Sequence, residues 1–269
     1  MVRDALINWA LLLEYDGGPF VGWQRQDSGI SVQDVVETAA MRLTGGKAVA
    51  ATVAGRTDSG VHAAGQVVAL PLPAAFSPRQ IRDALNYHMK PHPVAVIRAA
   101  PAAEGWNPRF SAVHRSYRYI ILNRRARPVL HLGRAWHVAT PLDAEAMHRA
   151  AQTLLGTHDF TSFRAAACQA KSPVRTLDRL DVSRDGDLIT IVAEARSFLH
   201  HQVRNLAGTL RLVGDGKWPL ERVAAALAAR DRGAAGQTAP AEGLFLIRVT
   251  YPIDPFSGTG DNDSSVVSG

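Results

Sequence analysis

Residues 48–70 of this chain read AVAATVAGRTDSGVHAAGQVVAL, in which two strand-like runs enclose a short polar loop. The runs, residues 48–54 and 66–70, consist largely of small and β-branched apolar residues, a composition typical of strands. The loop has a glycine at each end, Gly55 and Gly60, and glycine permits tight backbone geometry and close approach of a ligand. The stretch therefore predicts two successive strands that present a polar loop between them.

The elements on either side of this stretch give the order β-α-β-β-α-β. Residues 5–13 form an apolar, strand-like run before it. Ser31 is a candidate N-cap for the helix that follows, because apolar residues recur after it at helical spacing. Ser77 begins a second helix on the other side, and residues 94–99 form a further strand. This order predicts a ferredoxin-like unit in residues 1–105.

The second half of the chain repeats this kind of pattern in an expanded form. Its predicted strands are residues 115–122, 174–183, 188–194 and 244–251, and its predicted helices are residues 143–154, 198–213 and 220–229. We expect an α+β fold in which two ferredoxin-like (RRM-like) halves, residues 1–105 and 106–252, form one extended, mostly antiparallel sheet with helices packed on one face. Residues 253–269 are rich in Gly, Ser and Asp and are predicted to be a disordered tail.

Composition narrows the class of protein. The chain has 269 residues, of which 46% are hydrophobic, and this excludes a chain that is disordered throughout. Its one cysteine, Cys168, excludes an intramolecular disulfide and a cysteine-based metal site. The N-terminal apolar stretch is too short for a signal peptide core, and no apolar run is long enough to span a membrane. We therefore expect a soluble, cytoplasmic protein without a membrane partner.

The net charge of +6 is concentrated in one segment. Residues 105–142 contain no Asp or Glu, so their arginines give this segment a charge of +7, and the rest of the chain sums to about −1. The arginines are Arg109, Arg115, Arg118, Arg124, Arg125, Arg127 and Arg134. Aromatic residues lie among them, which suits stacking on unpaired bases and favours a nucleic acid partner. The alternative is a solvated strand and loop with ordinary core aromatics.

The polar loop of residues 55–60 contains the residues best suited to chemistry. Arg56 and Asp58 are two positions apart and would face the same side of an extended backbone. An ionised aspartate beside a guanidinium suits nucleophilic attack or stabilisation of a sugar cation. A structural turn with a local ion pair explains the same residues equally well. The absence of an obvious second carboxylate argues against ordinary glycoside hydrolysis.

A second polar cluster lies in residues 198–208. If the predicted helix begins at residue 198, His200 shares a face with Arg204, and His201 points about 100° away from His200. No HExxH spacing is present, so we expect no metal site. Arg204 is expected to pair with an anion, either Asp58 or an RNA phosphate. The sequence also lacks the glycine-rich motifs of nucleotide binding, which favours a reaction without a cofactor.

Several short sequence blocks, taken together, resemble those of the TruA family of pseudouridine synthases over about residues 5–252. The matching blocks are EYDG (14–17), GWQRQ (22–26), SVQ (31–33), GRTDSGVH (55–62), FSA (110–112), RSYRY (115–119), DFTSFR (159–164), HHQVRN (200–205) and AEGLFL (241–246). The most specific block is GRTDSGVH, in which Ser59 departs from the alanine that is usual in the family.

The resemblance implies an isomerase that converts uridine to pseudouridine at positions 38, 39 and 40 of the tRNA anticodon stem-loop, as a homodimer and without a cofactor or metal. It assigns the catalytic role to Asp58, stacking on the uracil and assistance in the final deprotonation at C5 to Tyr117, and pairing with the aspartate to Arg204. It also implies RNA contacts for Arg56, Arg109, Arg124 and Arg125. The alternatives are a noncatalytic RNA-binding protein or RNA folding helper, and an RNA N-glycosidase that would release free uracil.

Overall fold

The computed structural model describes residues 5–257. The strands in this part of the chain are β1 (Leu6–Tyr15), β2 (Thr52–Val53), β3 (His62–Pro73), β4 (Val94–Pro101), β5 (His114–Leu122), β6 (Trp136–His137), β7 (Gly156–Asp159), β8 (Val174–Asp185), β9 (Leu188–Ala195) and β10 (Leu244–Thr250). The α-helices are α1 (Val32–Leu43), α2 (Pro78–His88), α3 (Ala144–Gln152), α4 (Gln202–Gly214) and α5 (Glu221–Ala229). None of these helices is long and apolar enough to cross a membrane.

All ten strands belong to one sheet. Its main path runs β4-β1-β3-β10-β5-β9-β8-β7, with β2 paired to β3 and β6 paired to β5. The pairings are antiparallel except for β10 with β3 and β6 with β5. The predicted α+β fold with a mostly antiparallel sheet is confirmed. Strand β10 is the last of the described strands along the chain but lies at the centre of the sheet, where Phe245 pairs with His62 and Leu246 pairs with Tyr117.

The predicted helix starts in the first half are confirmed by their caps. Ser31 accepts a hydrogen bond from the backbone N–H of Asp34, whose carboxylate accepts from the Ser31 backbone N–H in return. Ser77 and Gln80 form the same reciprocal pair at the start of α2. Each such cap contributes about 1 kcal/mol and fixes the residue at which the helix begins.

The apolar side chains form two buried clusters on one face of the sheet. The first packs β1, β3 and β4 against α1 and α2, and the second packs β5, β8 and β9 against α3, α4 and α5. Leu246 belongs to the first cluster and Leu244 to the second. Because these residues are two apart on β10, they point to the same side. The helices of both clusters therefore cover the same face.

Some predicted boundaries are wrong. The strand predicted over residues 66–70 is longer and extends over His62–Pro73 as β3. The run of residues 48–54 pairs as a strand only at β2, because the Ala51 backbone N–H donates to the Glu37 carboxylate of α1 instead of to the sheet. Helix α4 begins at Gln202 and not at residue 198. The Gln202 side chain accepts from the Leu199 backbone N–H, and His201 has the left-handed φ of 61°, so the chain turns before the helix begins.

The predicted tail is ordered at its beginning. Phe256 is buried in the first cluster, and its carbonyl accepts a hydrogen bond from Arg98 at 2.7 Å. The first residues of the segment predicted as a disordered tail thus contact the first cluster through the Phe256 side chain. Residues 258–269 of the predicted tail lie outside the described residues.

Candidate active site

The loop between β2 and β3 carries Asp58 and rests directly on the backbone of two preceding segments. A Cβ atom added at Gly17 would lie 2.1 Å from the Val61 carbonyl oxygen, and one added at Gly22 would lie 2.8 Å from the Thr57 carbonyl oxygen. The Trp23 backbone N–H donates to that same Thr57 carbonyl at 3.0 Å. Glycine is therefore required at both positions, because the backbones touch where a side chain would stand.

Buried polar side chains hold the same loop from below. The hydroxyls of Tyr15 and Thr57 are 2.8 Å apart, and the Gln66 amide donates to the Tyr15 hydroxyl and to the Gly55 carbonyl. Burial raises the pKa of Tyr15 to about 12, although both hydrogen bonds oppose this shift. Ser59, the departure from the family pattern, donates its hydroxyl to the Phe20 carbonyl at 3.2 Å. Serine thus fits the loop without displacing it.

Asp58 meets three nitrogen-bearing side chains from the other half of the chain. Nη1 of Arg204 lies 3.4 Å from its Oδ2, Nε2 of His200 lies 3.2 Å from Oδ1, and Nε2 of His201 lies 3.3 Å from Oδ2. The Arg204 Nε donates to the Ala239 carbonyl at 2.8 Å, which fixes the guanidinium in place. The carboxylate keeps about a quarter of its surface exposed to solvent, so a ligand can reach it.

The expected pairing of the Arg56 guanidinium with Asp58 is wrong. The chain turns directly after Asp58, where the Val61 backbone N–H donates to the Asp58 carbonyl and Gly60 has a φ of 78°. Arg56 is exposed and forms no ion pair with Asp58. Of the two anions considered for Arg204, the structure places it beside Asp58. The guanidinium next to the carboxylate is therefore the distant Arg204 and not the neighbouring Arg56.

The expectation that the two histidines point apart is also wrong. Both precede α4, and their ring centroids are 4.0 Å apart. With Asp58 they form, in the described part of the chain, a group of possible metal ligands whose ligand atoms all lie within 4.8 Å of one another. The Arg204 guanidinium at the same carboxylate opposes a cation there. The two imidazole nitrogens lie 3.2 and 3.3 Å from the carboxylate oxygens, so close polar contacts between the side chains account for the cluster.

Tyr117 of β5 lies between the two apolar clusters and packs against both. Its ring meets Phe198 edge-to-face with centroids 5.2 Å apart, and its hydroxyl lies beside Gly55 of the loop that carries Asp58. Burial raises the pKa of Tyr117 well above its usual value, and the charge of Asp58 raises it further. The phenol therefore stays protonated, which suits stacking and does not suit removal of a proton.

The arginine-rich segment is only partly available to a partner. Arg115 is buried and donates to three backbone carbonyls, so its role is structural, and burial lowers its pKa. Arg124 pairs with Asp187 at 3.4 Å, and Arg134 pairs with Asp16 at 3.2 Å. Arg109 and Arg125 are exposed. The charge of +7 in this segment is therefore not all available to a partner.

An α+β sheet that brings one loop aspartate together with an arginine and a histidine pair is consistent with the class suggested by the sequence motifs, the pseudouridine synthases. The family model described as tRNA pseudouridine synthase matches residues 12–111 and 150–252, which include Asp58, His200, His201 and Arg204. Tyr117 lies between the two matched ranges. The chain belongs to the tRNA pseudouridine synthase family, whose members are isomerases of tRNA uridine.

Curated relatives agree with this assignment over nearly their whole length. The chain is 68% identical over 249 residues to tRNA pseudouridine synthase A of Acidiphilium cryptum (strain JF-5), covering 92% of this chain and 98% of the relative. It is 56% identical over 254 residues to the protein of the same name from Gluconobacter oxydans (strain 621H), covering 94% and 92%. For that of Rhodospirillum centenum (strain ATCC 51521 / SW) the identity is 57% over 243 residues, covering 90% and 99%.

Proposed function

We propose that this member of the family isomerises uridine at positions 38, 39 and 40 of the tRNA anticodon stem-loop, with Asp58 as the nucleophile. The observation that carries the assignment of Asp58 is its position: it is a partly exposed carboxylate on a rigid loop, contacted by Arg204, His200 and His201. The segments we propose as two domains share this site. Residues 1–105 supply the aspartate, and residues 106–252 supply the groups around it.

The chemistry needs no external reagent, because pseudouridine is an isomer of uridine. The bond between N1 of the base and C1′ of the sugar breaks, the uracil rotates, and C5 forms the new bond to C1′. C5 then loses its proton and N1 gains one, so atoms and charge balance. An ionised carboxylate supports this sequence as an attacking group beside the positive charge that develops when the base leaves.

Tyr117 is proposed to stack on the uracil while the base is detached. A flipped base needs an aromatic surface to replace its lost stacking partners, and the neutral phenol ring beside the catalytic loop offers one. The raised pKa of Tyr117 argues against assistance in the deprotonation at C5, which the family resemblance had suggested.

The tRNA is proposed to bind through arginines around the site. The guanidinium groups of Arg56, Arg109 and Arg125 are exposed, and Arg124 lies at the side of the β5–β6 connection. Such groups can bind the backbone phosphates of the tRNA without recognising its sequence. We further propose that two copies form the working enzyme in the cytoplasm, as the resemblance implies. Three exposed apolar side chains in that connection support a protein partner: Val129, Leu130 and Leu132.

The test is pseudouridine mapping of total tRNA from cells with and without the protein, together with purified Asp58→Asn. We expect pseudouridine at the three positions only when the protein is present. We expect no product from the variant, with tRNA affinity within a few-fold of the original. Substantial activity in Asp58→Asn would remove Asp58 as the nucleophile. Release of free uracil would instead indicate an N-glycosidase, and unmodified tRNA with normal binding would indicate an RNA folding helper.

A further inference from the structure

We propose that His200 and His201 are positioning residues that fix the plane of the Asp58 carboxylate, each imidazole holding a different oxygen. This inference rests on the proposed function, in which Asp58 is the nucleophile. Nε2 of His200 lies 3.2 Å from Oδ1, and Nε2 of His201 lies 3.3 Å from Oδ2. A carboxylate held at both oxygens cannot rotate about its Cβ–Cγ bond, whereas the single contact with Arg204 at Oδ2 would allow it.

The backbone before α4 is built in a way that brings both rings to one carboxylate. Adjacent residues of a helix point about 100° apart, so two neighbouring histidines within α4 could not both reach Asp58. The left-handed conformation of His201, with φ 61° and ψ 6°, breaks that geometry and places the ring centroids 4.0 Å apart. Such a conformation costs a residue other than glycine roughly 1–2 kcal/mol.

The surrounding contacts maintain this unfavourable conformation. The Gln202 side chain accepts from the Leu199 backbone N–H at 2.8 Å, and the Asn205 backbone N–H donates to the His201 carbonyl at 2.9 Å. Backbone strain of this kind is retained where the neighbouring structure imposes it, and it concentrates at functional sites. The His201 side chain makes no helix-capping hydrogen bond, so its ring is free to contact Asp58.

The electrostatic surroundings keep His201 neutral near pH 7. Desolvation by burial lowers its pKa, the charge of Asp58 opposes this, and the charges of His200, Arg204 and Arg232 lower the pKa further. A neutral imidazole donates one hydrogen bond and leaves the carboxylate its charge. A protonated imidazole would pair with the carboxylate as an ion and weaken it as a nucleophile. Activity is therefore expected to fall as the pH drops and His201 gains a proton.

Two substitutions at one position separate the role of the ring from that of the backbone. In His201→Gln the amide nitrogen can take the place of Nε2, but glutamine has no special tolerance for the left-handed conformation. In His201→Asn the backbone is accommodated, since asparagine is enriched in that region, but the amide is too short to reach Asp58. We expect His201→Gln to keep a kcat about 10-fold or more above that of His201→Asn, because small displacements of a reacting group cost up to about 100-fold.

The second histidine offers a matched pair. His200→Gln retains a donor, and His200→Leu removes it at similar volume. The exposed His88→Gln is a control far from the catalytic loop in sequence and is expected to match the unsubstituted enzyme. For every variant, the thermal midpoint and the tRNA dissociation constant are measured with kcat, and we expect the tRNA dissociation constant to change by no more than a few-fold. The kcat–pH profile is measured for His200→Gln combined with His201→Gln, whose acidic limb we expect to move to lower pH.

The outcomes distinguish this inference from the function on which it rests. Activity in Asp58→Asn would overturn the assignment of the nucleophile. An inactive Asp58→Asn, combined with unchanged kcat and an unchanged acidic limb in the histidine variants, would overturn only the positioning role. An activity of His201→Asn equal to or above that of His201→Gln would likewise overturn it, since the backbone alone would then matter.

Discussion

Replacing Gly17 by alanine should displace the loop that carries Asp58 without changing the chemical identity of any side chain of the candidate site. The added Cβ would lie 2.1 Å from the Val61 carbonyl oxygen, 2.4 Å from its carbon and 2.9 Å from its nitrogen. These are backbone atoms and cannot rotate away. Val61 is three residues after Asp58, and its N–H donates to the Asp58 carbonyl, so a shift of one is passed to the other.

The size of the effect follows from the contact distance. Ordinary contacts of a Cβ atom begin near 3.4 Å, so the two backbones must separate by about 1.3 Å. Overpacking of this kind costs typically 1–3 kcal/mol of folding free energy. A displacement of about 1 Å in a reacting group costs on the order of 100-fold in rate. We therefore expect Gly17→Ala to lower kcat by about that factor and to reduce stability measurably.

The neighbouring residue provides the control. A Cβ added at Gly18 meets only the Asp16 carboxylate oxygen at 3.1 Å, a side-chain atom that can move. Urea unfolding reports the free energy of each variant, and release of tritium from C5 of uridine in labelled tRNA reports turnover. Equal kcat and equal unfolding free energies for Gly17→Ala and Gly18→Ala would refute the conclusion that the close backbone approach positions Asp58.

Three further predictions follow from single side chains. Tyr117→Phe is expected to keep kcat within about 3-fold, because the Tyr117 hydroxyl makes no hydrogen bond among the described residues. Tyr117→Ala should lose most activity because it removes the stacking surface, and a large loss in Tyr117→Phe would contradict a stacking role. Tyr15 stabilises the fold below pH 10, where its phenol is neutral in both the folded and the unfolded state, and this stability is lost as the pH rises toward about 12 and the unfolded phenol ionises. In Tyr15→Phe, the free energy of unfolding in urea should therefore fall less steeply between pH 10 and 12, by about 1.4 kcal/mol per pH unit. An unchanged slope argues against the raised pKa of Tyr15. Neutralising Arg124 and Arg125 together should lower the slope of log K for tRNA binding against log salt concentration by up to about 2. Arg124 should contribute the smaller share because it already pairs with Asp187, and an unchanged slope would place both residues away from the RNA.

Local sequence patterns predicted the elements well where a local contact fixes them. Ser31 and Ser77 mark helix starts because each cap bonds within four residues along the chain. The α+β class follows from the order of such elements. The shortness of β2 could not be predicted, since its cause is a hydrogen bond from Ala51 to Glu37 on a separate element.

The site was predictable in its parts but not in its contacts. Asp58 and Arg204 are conspicuous in the sequence, yet the ion pair joins residues that are 146 positions apart. The histidine pair was misplaced because the left-handed residue that precedes α4 is neither glycine nor asparagine, and nothing local signals it. The structural role of Arg115 could not be predicted, because a run of charge along a strand does not reveal which of its side chains are buried.

The central place of strand β10 has a consequence for how the protein is made. During translation, residues 244–250 are synthesised after the other described strands. Strands β3 and β5 therefore lack the strand that pairs with both of them until β10 has been made. Until then the nascent chain exposes two open strand edges, which invite pairing with other chains. If translation stops before residue 244, the half of the chain with the Asp58 loop and the half with α4 lack the strand that pairs with both. Residues 244–250 must therefore be synthesised before the two halves of the site can be joined, and products that end earlier are expected to be inactive and prone to aggregate.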